Sequence, residues 1–252
     1  LFFWFKKKEI ILDCFTASSV AYDYAKPDFA YKYFPEWFTR LPQKVSVRGV
    51  EGISIKSCRA VKRFYCANTI VISAPYHLAI DAAPVDKKSF NWVTASLDEF
   101  ITEHPPEQYQ GFLDDSYQHI KLSNPWALKT NKFVEFIWTD PTWSRSNLFD
   151  YSVLPGVVDY RYQQDAHINL FFQYLKEPRK IEIALGTPLV LLAPLSECNI
   201  KIKHHLVSKA EMSRFAFRSG LNGQKRYSQN KQIIEAAEKR DAIKKCPFHL
   251  RW

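Results

Sequence analysis

Short runs of alternating apolar and polar residues, closed off by proline, glycine or Asn/Asp, recur along most of this chain. They constrain its fold more than any other feature. Lys44-Val-Ser-Val-Arg48 leads through a turn at Gly49 to Gly52 into Gly52-Ile-Ser-Ile-Lys56, and Thr69-Ile-Val-Ile-Ser73 follows. A period of two sends successive side chains to opposite faces, which is the pattern of a half-buried strand. Further strands are expected at His77–Asp81, Phe90–Thr94, Lys132–Trp138, Ile168–Leu175, Lys180–Ala184, Pro188–Leu192 and Ile200–His204. Long helices do not alternate with these runs, which disfavours a doubly wound sheet. The expected class is mainly β, an antiparallel sandwich or a cupin-like barrel with a helical C-terminal extension.

Three regions follow from this pattern: an aromatic-rich segment over 1–43, a β-rich core over 44–206 and a basic helical extension over 207–252. Ala21 to Pro42 holds eight aromatics and three prolines. Such a segment cannot continue as one helix and is expected to wrap the core, with base stacking as the alternative use of its rings. In the extension, Ser208 to Arg218 reads as a short capped helix ending at Gly220, and Asn230 to Lys245 as the clearest helix in the chain. The stretch between Gly220 and Tyr227 reads as an exposed basic loop. The apolar run Leu1 to Phe5 is cut off by Lys6, Lys7 and Lys8. It is far shorter than the roughly 20 residues that span a bilayer, and its charges follow the apolar stretch, unlike those of a signal peptide. Burial as a strand is expected there.

Charge is distributed unevenly. The formal net charge is +9, yet residues 1–200 carry 22 basic and 22 acidic side chains, while 201–252 carry 13 basic and 4 acidic. Clustered cations suit a polyanionic partner, because binding releases the partner's counterions; a solvated face of basic helices is the plainer explanation. The cations that would carry such binding are Lys201, Lys203, Arg214, Arg218, Lys225, Arg226 and Lys231. The five cysteines are odd in number and widely spaced, with no Cys-x-x-Cys pair. They fit a reducing compartment and not a secreted disulfide scaffold.

Chemistry-bearing motifs are scarce. With seven glycines, neither a phosphate-binding loop, a dinucleotide fingerprint nor a nucleophile elbow is present, and no His-Glu-x-x-His occurs. The densest polar stretch runs from Asp159 to Asn169. Continued as a strand, it projects Asp165, His167 and Asn169 from one face. A carboxylate and an imidazole two residues apart are the local half of a β-barrel iron site, with the second imidazole drawn from His77, His119, His204 or His205. A hydrogen-bonded polar strand face is the competing explanation. His104 and His119 each precede proline closely and read as turn residues, and Glu103, His104 and Glu107 form a further, loop-borne group of metal-type ligands. His204 and His205 alternate to opposite faces of their strand.

The succession Ile55-Lys-Ser-Cys58, Glu103-His104 with Gln108 and Gly111, Lys121 to Trp126 (KLSNPW), Pro155-Gly-Val-Val-Asp159 and Gly186 to Pro194 (GTPLVLLAP) resembles a family of uncharacterised proteins of tailed, T4-like marine bacteriophages with bacterial relatives. The likeness runs from about Ile55 to Pro194. It implies a β-rich, cupin-like body and a viral origin, and brings no established activity. The leading expectation is therefore a non-enzymatic phage protein, a virion component or accessory binder. It would dock through its basic C-terminus on other phage proteins or an acidic surface, with no membrane span and with oligomerisation left open. Two alternatives stand beside it: a cupin-like oxygenase holding iron on Asp165 and His167, and a sequence-independent nucleic-acid binder using the cations named above.

Overall fold

The computed structural model describes residues 9–66, 68–82, 90–94, 101–112, 117–144, 151–165, 167–173, 177–215 and 221–244. Strand β1 (Glu9–Thr16) buries Ile10, Leu12 and Cys14 and leaves Ile11, Asp13 and Phe15 half-buried. It lies between β10 (Ala127–Thr130), antiparallel, and β17 (Asn199–Leu206), parallel, in a three-stranded mixed sheet. The segment before residue 44, set apart by its composition and including the short helices α1 (Ser19–Tyr24) and α2 (Glu36–Arg40), thus supplies Ile10, Leu12, Cys14 and Ala21 to the main core.

A five-stranded antiparallel sheet runs in the order β13 (Gly156–Asp159), β11 (Glu135–Thr139), β16 (Pro188–Pro194), β5 (Ile70–Ser73), β2 (Asp28–Phe29). Its inner strands β5 and β16 are apolar on both faces, as strands covered on two sides must be. Ile70, Ile72, Val190 and Leu192 enter the main core, while Val71 and its cross-strand partner Leu191 enter a second cluster with Ala30 and Tyr65. The aromatics before Pro42 close that cluster. Phe34 stacks on Phe38 at 4.5 Å and tilts against Tyr65 at 5.2 Å, and Tyr65 is carried by helix α3 (Arg59–Cys66). These rings wrap a core.

Three smaller sheets complete the body. One orders β12 (Ser152–Val153), β14 (Ile168–Gln173), β9 (Tyr117–Leu122) and β8 (Ile101–Glu103), and a second orders β15 (Arg179–Ile183), β6 (Leu78–Ala82) and β7 (Phe90–Thr94). The third is the hairpin of β3 (Lys44–Val47) and β4 (Val50–Ile53). The protein is mainly β, as expected, but among the described residues its sheets stay open and no closed barrel forms. The cupin-like alternative is corrected accordingly. The two largest rings of the main core satisfy their polar tips: Trp126 Nε1 donates to the Ala25 carbonyl at 3.0 Å and Trp138 Nε1 to the Tyr160 hydroxyl at 2.9 Å.

Several boundaries differ from the sequence expectation. The first hairpin turns at Arg48 and Gly49, both at positive φ (52° and 81°). A two-residue turn of this kind matches strand twist best, so Gly52 falls inside β4 and Ile55–Ser57 is a 3-10 turn. In the extension, α4 (Lys209–Met212) is held by a reciprocal capping box between Ser208 and Glu211. Helix α5 runs from Leu221 to Lys244, so the expected basic loop before Tyr227 is helical from Leu221 on. Among the described residues no helix is long and apolar enough to cross a membrane.

Candidate functional site

Strands β8, β9 and β14 bring an unusual polar group together on one face. Their inner faces are conventional: Ile120, Leu122, Ile168, Leu170 and Phe172 are buried in the main core. The alternate positions are not. The register pairs His119 with Phe171 and Lys121 with Asn169 and Thr102, while the His104 N–H donates to the His119 carbonyl at 3.1 Å. Cross-strand neighbours lie close enough for rings to touch. The His119 ring stacks on His104 at 4.2 Å and on Phe171 at 4.4 Å, and Tyr109 packs edge-on against both His119 and Phe171. His104 is fixed from its other side by Gln108, whose Oε1 meets Nδ1.

His119 is 7% exposed, and neither of its ring nitrogens has a hydrogen-bond partner. The Asn169 amide, diagonally across the strand pair, favours its protonated form without reaching hydrogen-bond geometry. Burial, and next the nearby His104, lower the His119 pKa to about 4. His167 lies two residues before Asn169, and its buried Nδ1 also lacks a partner. Burial first, then the charges of Lys121 and His104, hold it at about 4 as well. Lys121 is itself lowered by burial, against the pull of Asp165. At neutral pH His119 and His167 are therefore uncharged beside a half-buried ammonium.

The expected pairing of Asp165 with His167 takes a different form. Asp165 sits in an isolated bridge to Ala127, outside β14, and its charge acts on Lys121. Of the candidate second imidazoles, His119 shares the face. His77 is exposed just before β6, beside Glu182. His204 turns inward, with Nε2 2.7 Å from the Pro27 carbonyl, and His205 outward, with Nε2 2.8 Å from Asp13 Oδ1. Among the described residues no three His, Cys, Asp or Glu side chains come together to hold a metal ion. His104 is the imidazole whose role sequence reading missed. Its place opposite His119 follows from the strand register, which no local motif reveals, and His119 belongs to strand β9, not to a turn. The turn comes after it, where Asn124 Oδ1 accepts the Trp126 N–H at 3.1 Å.

The terminal cations form two groups. Lys201 and Lys203 are exposed on β17, an edge strand, where charged side chains block further strand addition. Lys225 and Lys231 are exposed on α5, and Arg214 is exposed after α4 beside Glu211. Arg226 belongs to α5, and Arg218 lies outside the described residues. Helix α5 meets the body at the turn after β13. Asn230 Nδ2 donates to the Tyr162 carbonyl at 3.1 Å, Tyr227 packs edge-on against Tyr162, and the Tyr162 hydroxyl donates to Glu235 at 3.4 Å. Arg161 links Glu238 (3.3 Å) to the buried Asp159 (3.0 Å) and lies over the Phe133 ring.

Successive helical residues are about 100° apart. The docked stripe of Tyr227, Asn230, Ile234 and Glu238 therefore leaves Lys225, Gln232, Ile233, Ala236, Lys239 and Arg240 on the outer side, all exposed. The helix's carboxylates Glu235, Glu238 and Asp241 lie toward the docked side. Among the described residues none of the outer cations forms an ion pair.

No family model, curated protein or solved structure matches this chain.

Proposed function

We propose that this protein is a non-catalytic binding protein of phage type, a virion component or accessory factor, which attaches to an acidic protein surface through the outer face of α5. The observation that carries this reading is the sorting of charge on that helix. Glu238 and Glu235 serve the dock on Arg161 and Tyr162, while Lys225, Lys239 and Arg240 face solvent on the outer side; the exposed Lys231 falls by angle on the docked side. Sorting of this kind leaves a cationic rim around Gln232, Ile233 and Ala236, with Ile233 64% exposed. An apolar centre with a charged rim suits a protein partner better than a phosphate backbone, which needs cations alone. Lys201, Lys203 and Arg214 then serve as a separate, solvated set.

Binding to poly-glutamate and to duplex DNA, each measured against salt, tests this. Tight poly-glutamate binding that weakens steeply with salt and disappears in Lys225→Glu/Arg240→Glu supports the attachment surface. Preference for DNA with the same sensitivity moves the reading to nucleic acid. Salt-independent binding, or binding untouched by the double reversal, removes it. Mass spectrometry of purified particles that lack the polypeptide removes the virion version.

A further inference from the structure

We propose that the outer face of β8, β9 and β14 is a binding site for a compact oxyanion, phosphate-like in chemistry, with Lys121 supplying charge and His119, His167 and Asn169 supplying hydrogen-bond donors. The site is separate from α5 and independent of its function.

Three features point to a ligand. An imidazole carries at least one N–H in any protonation state, and a buried donor without an acceptor is costly. His119 is held in that condition by stacking on both sides, at 4.2 and 4.4 Å, and His167 Nδ1 shares it. Next, the face sets the half-buried ammonium of Lys121 beside Asn169, with His119 and His167 nearby, and each of these side chains can turn an N–H toward an anion. Finally, the ammonium at the centre of the second row repels a metal ion, and among the described residues no trio of ligands is assembled for one.

An oxyanion reverses the local balance. The groups around His119 are His104 from β8, Lys121 from its own strand, and Asn169 and Phe171 from β14. Tyr109 closes the edge, and the only other titratable side chain of that loop's 3-10 turn, Glu107, is exposed. With a negative charge in place, protonation of His119 and His167 becomes favourable, so binding takes up protons and strengthens as the solution is acidified.

Titration calorimetry with inorganic phosphate on the full chain, repeated in buffers of different ionisation heat, tests this directly. The expected result is one saturable site with Kd of about 1 mM or tighter, with proton uptake, tightening from about pH 8 to about pH 6. Lys121→Met and His119→Phe should each weaken it by at least about tenfold, while Lys225→Glu/Arg240→Glu leaves it unchanged. Ring resonances of His119 in the unmodified protein should shift on titration, which keeps the proposal testable if His119→Phe does not fold. Absence of saturable binding overturns the proposal. So does binding that survives Lys121→Met, or binding lost on reversal of the helix cations, since the latter would be nonspecific attraction to α5.

Discussion

The dock of α5 and the outer face of β9 handle buried polar groups in opposite ways. At the dock, Asp159 is 2% and Arg161 11% exposed, and both are paired: Arg161 meets both carboxylate oxygens of Asp159, the Glu238 carboxylate and the Phe133 ring. On the β9 face, His119 is comparably buried, and its ring nitrogens have stacked rings and the Asn169 amide near them but no hydrogen-bond partner. Paired burial fixes one element on another. Unpaired burial stores a demand that something outside the chain can meet, and a protein retains it where a ligand repays the cost.

The comparison can be broken most sharply at the dock. Arg161→Ala strands the Asp159 charge inside the protein and should destabilise by about 3–5 kcal/mol in urea unfolding. The pH dependence comes next and belongs to the other region. His119 and His167 have folded pKa values near 4 against 6.5 when unfolded. The unfolded chain therefore binds more protons in between, and stability should be full above about pH 6.5 and fall as pH drops toward 4. The urea midpoint of a His119→Phe/His167→Phe variant should be flatter over that range.

A smaller change with the opposite sign to that of Arg161→Ala is expected for His119→Phe at neutral pH. It keeps the stack and removes the unsatisfied nitrogens, so the melting temperature should rise, corresponding to about 1 kcal/mol. A fall would mean that His119 has a partner and the two regions do not differ. Least of all, Glu238→Gln should cost about 0.5 kcal/mol, because Glu238 is 57% exposed and the pair is screened; its readout is local hydrogen exchange in α5.

The legible and the hidden parts of the structure divide along the same line. Strands β5 and β16 announce themselves, because both of their faces are buried and both are apolar. Strand β9 carries the same alternation in His119-Ile-Lys-Leu122, and it is the nearness of Pro125 that makes this stretch read as a turn. The asymmetry of charge toward the C-terminus was plain, but its sorting on α5 was not. Gly223 and Asn222 at the start of the helix look like a loop, and the dock of Tyr227 on Tyr162 depends on a turn more than 60 residues away. His104 could be set opposite His119 only through the register of β8, which no local pattern records.

The pairing of β1 with β17 bears on how the chain reaches its folded state. Strand β1 is flanked by β17, its parallel neighbour, with Glu9 opposite Asn199 and Thr16 opposite Leu206. At a synthesis rate of roughly 5–20 residues per second, the first of these strands emerges roughly 10–40 s before its companion. During that interval one edge of β1 has no mate, and long-range closures of this type are slow. Birth of this molecule on the ribosome thus contains a waiting period, during which a chaperone or an early contact with β10 must shield the leading strand.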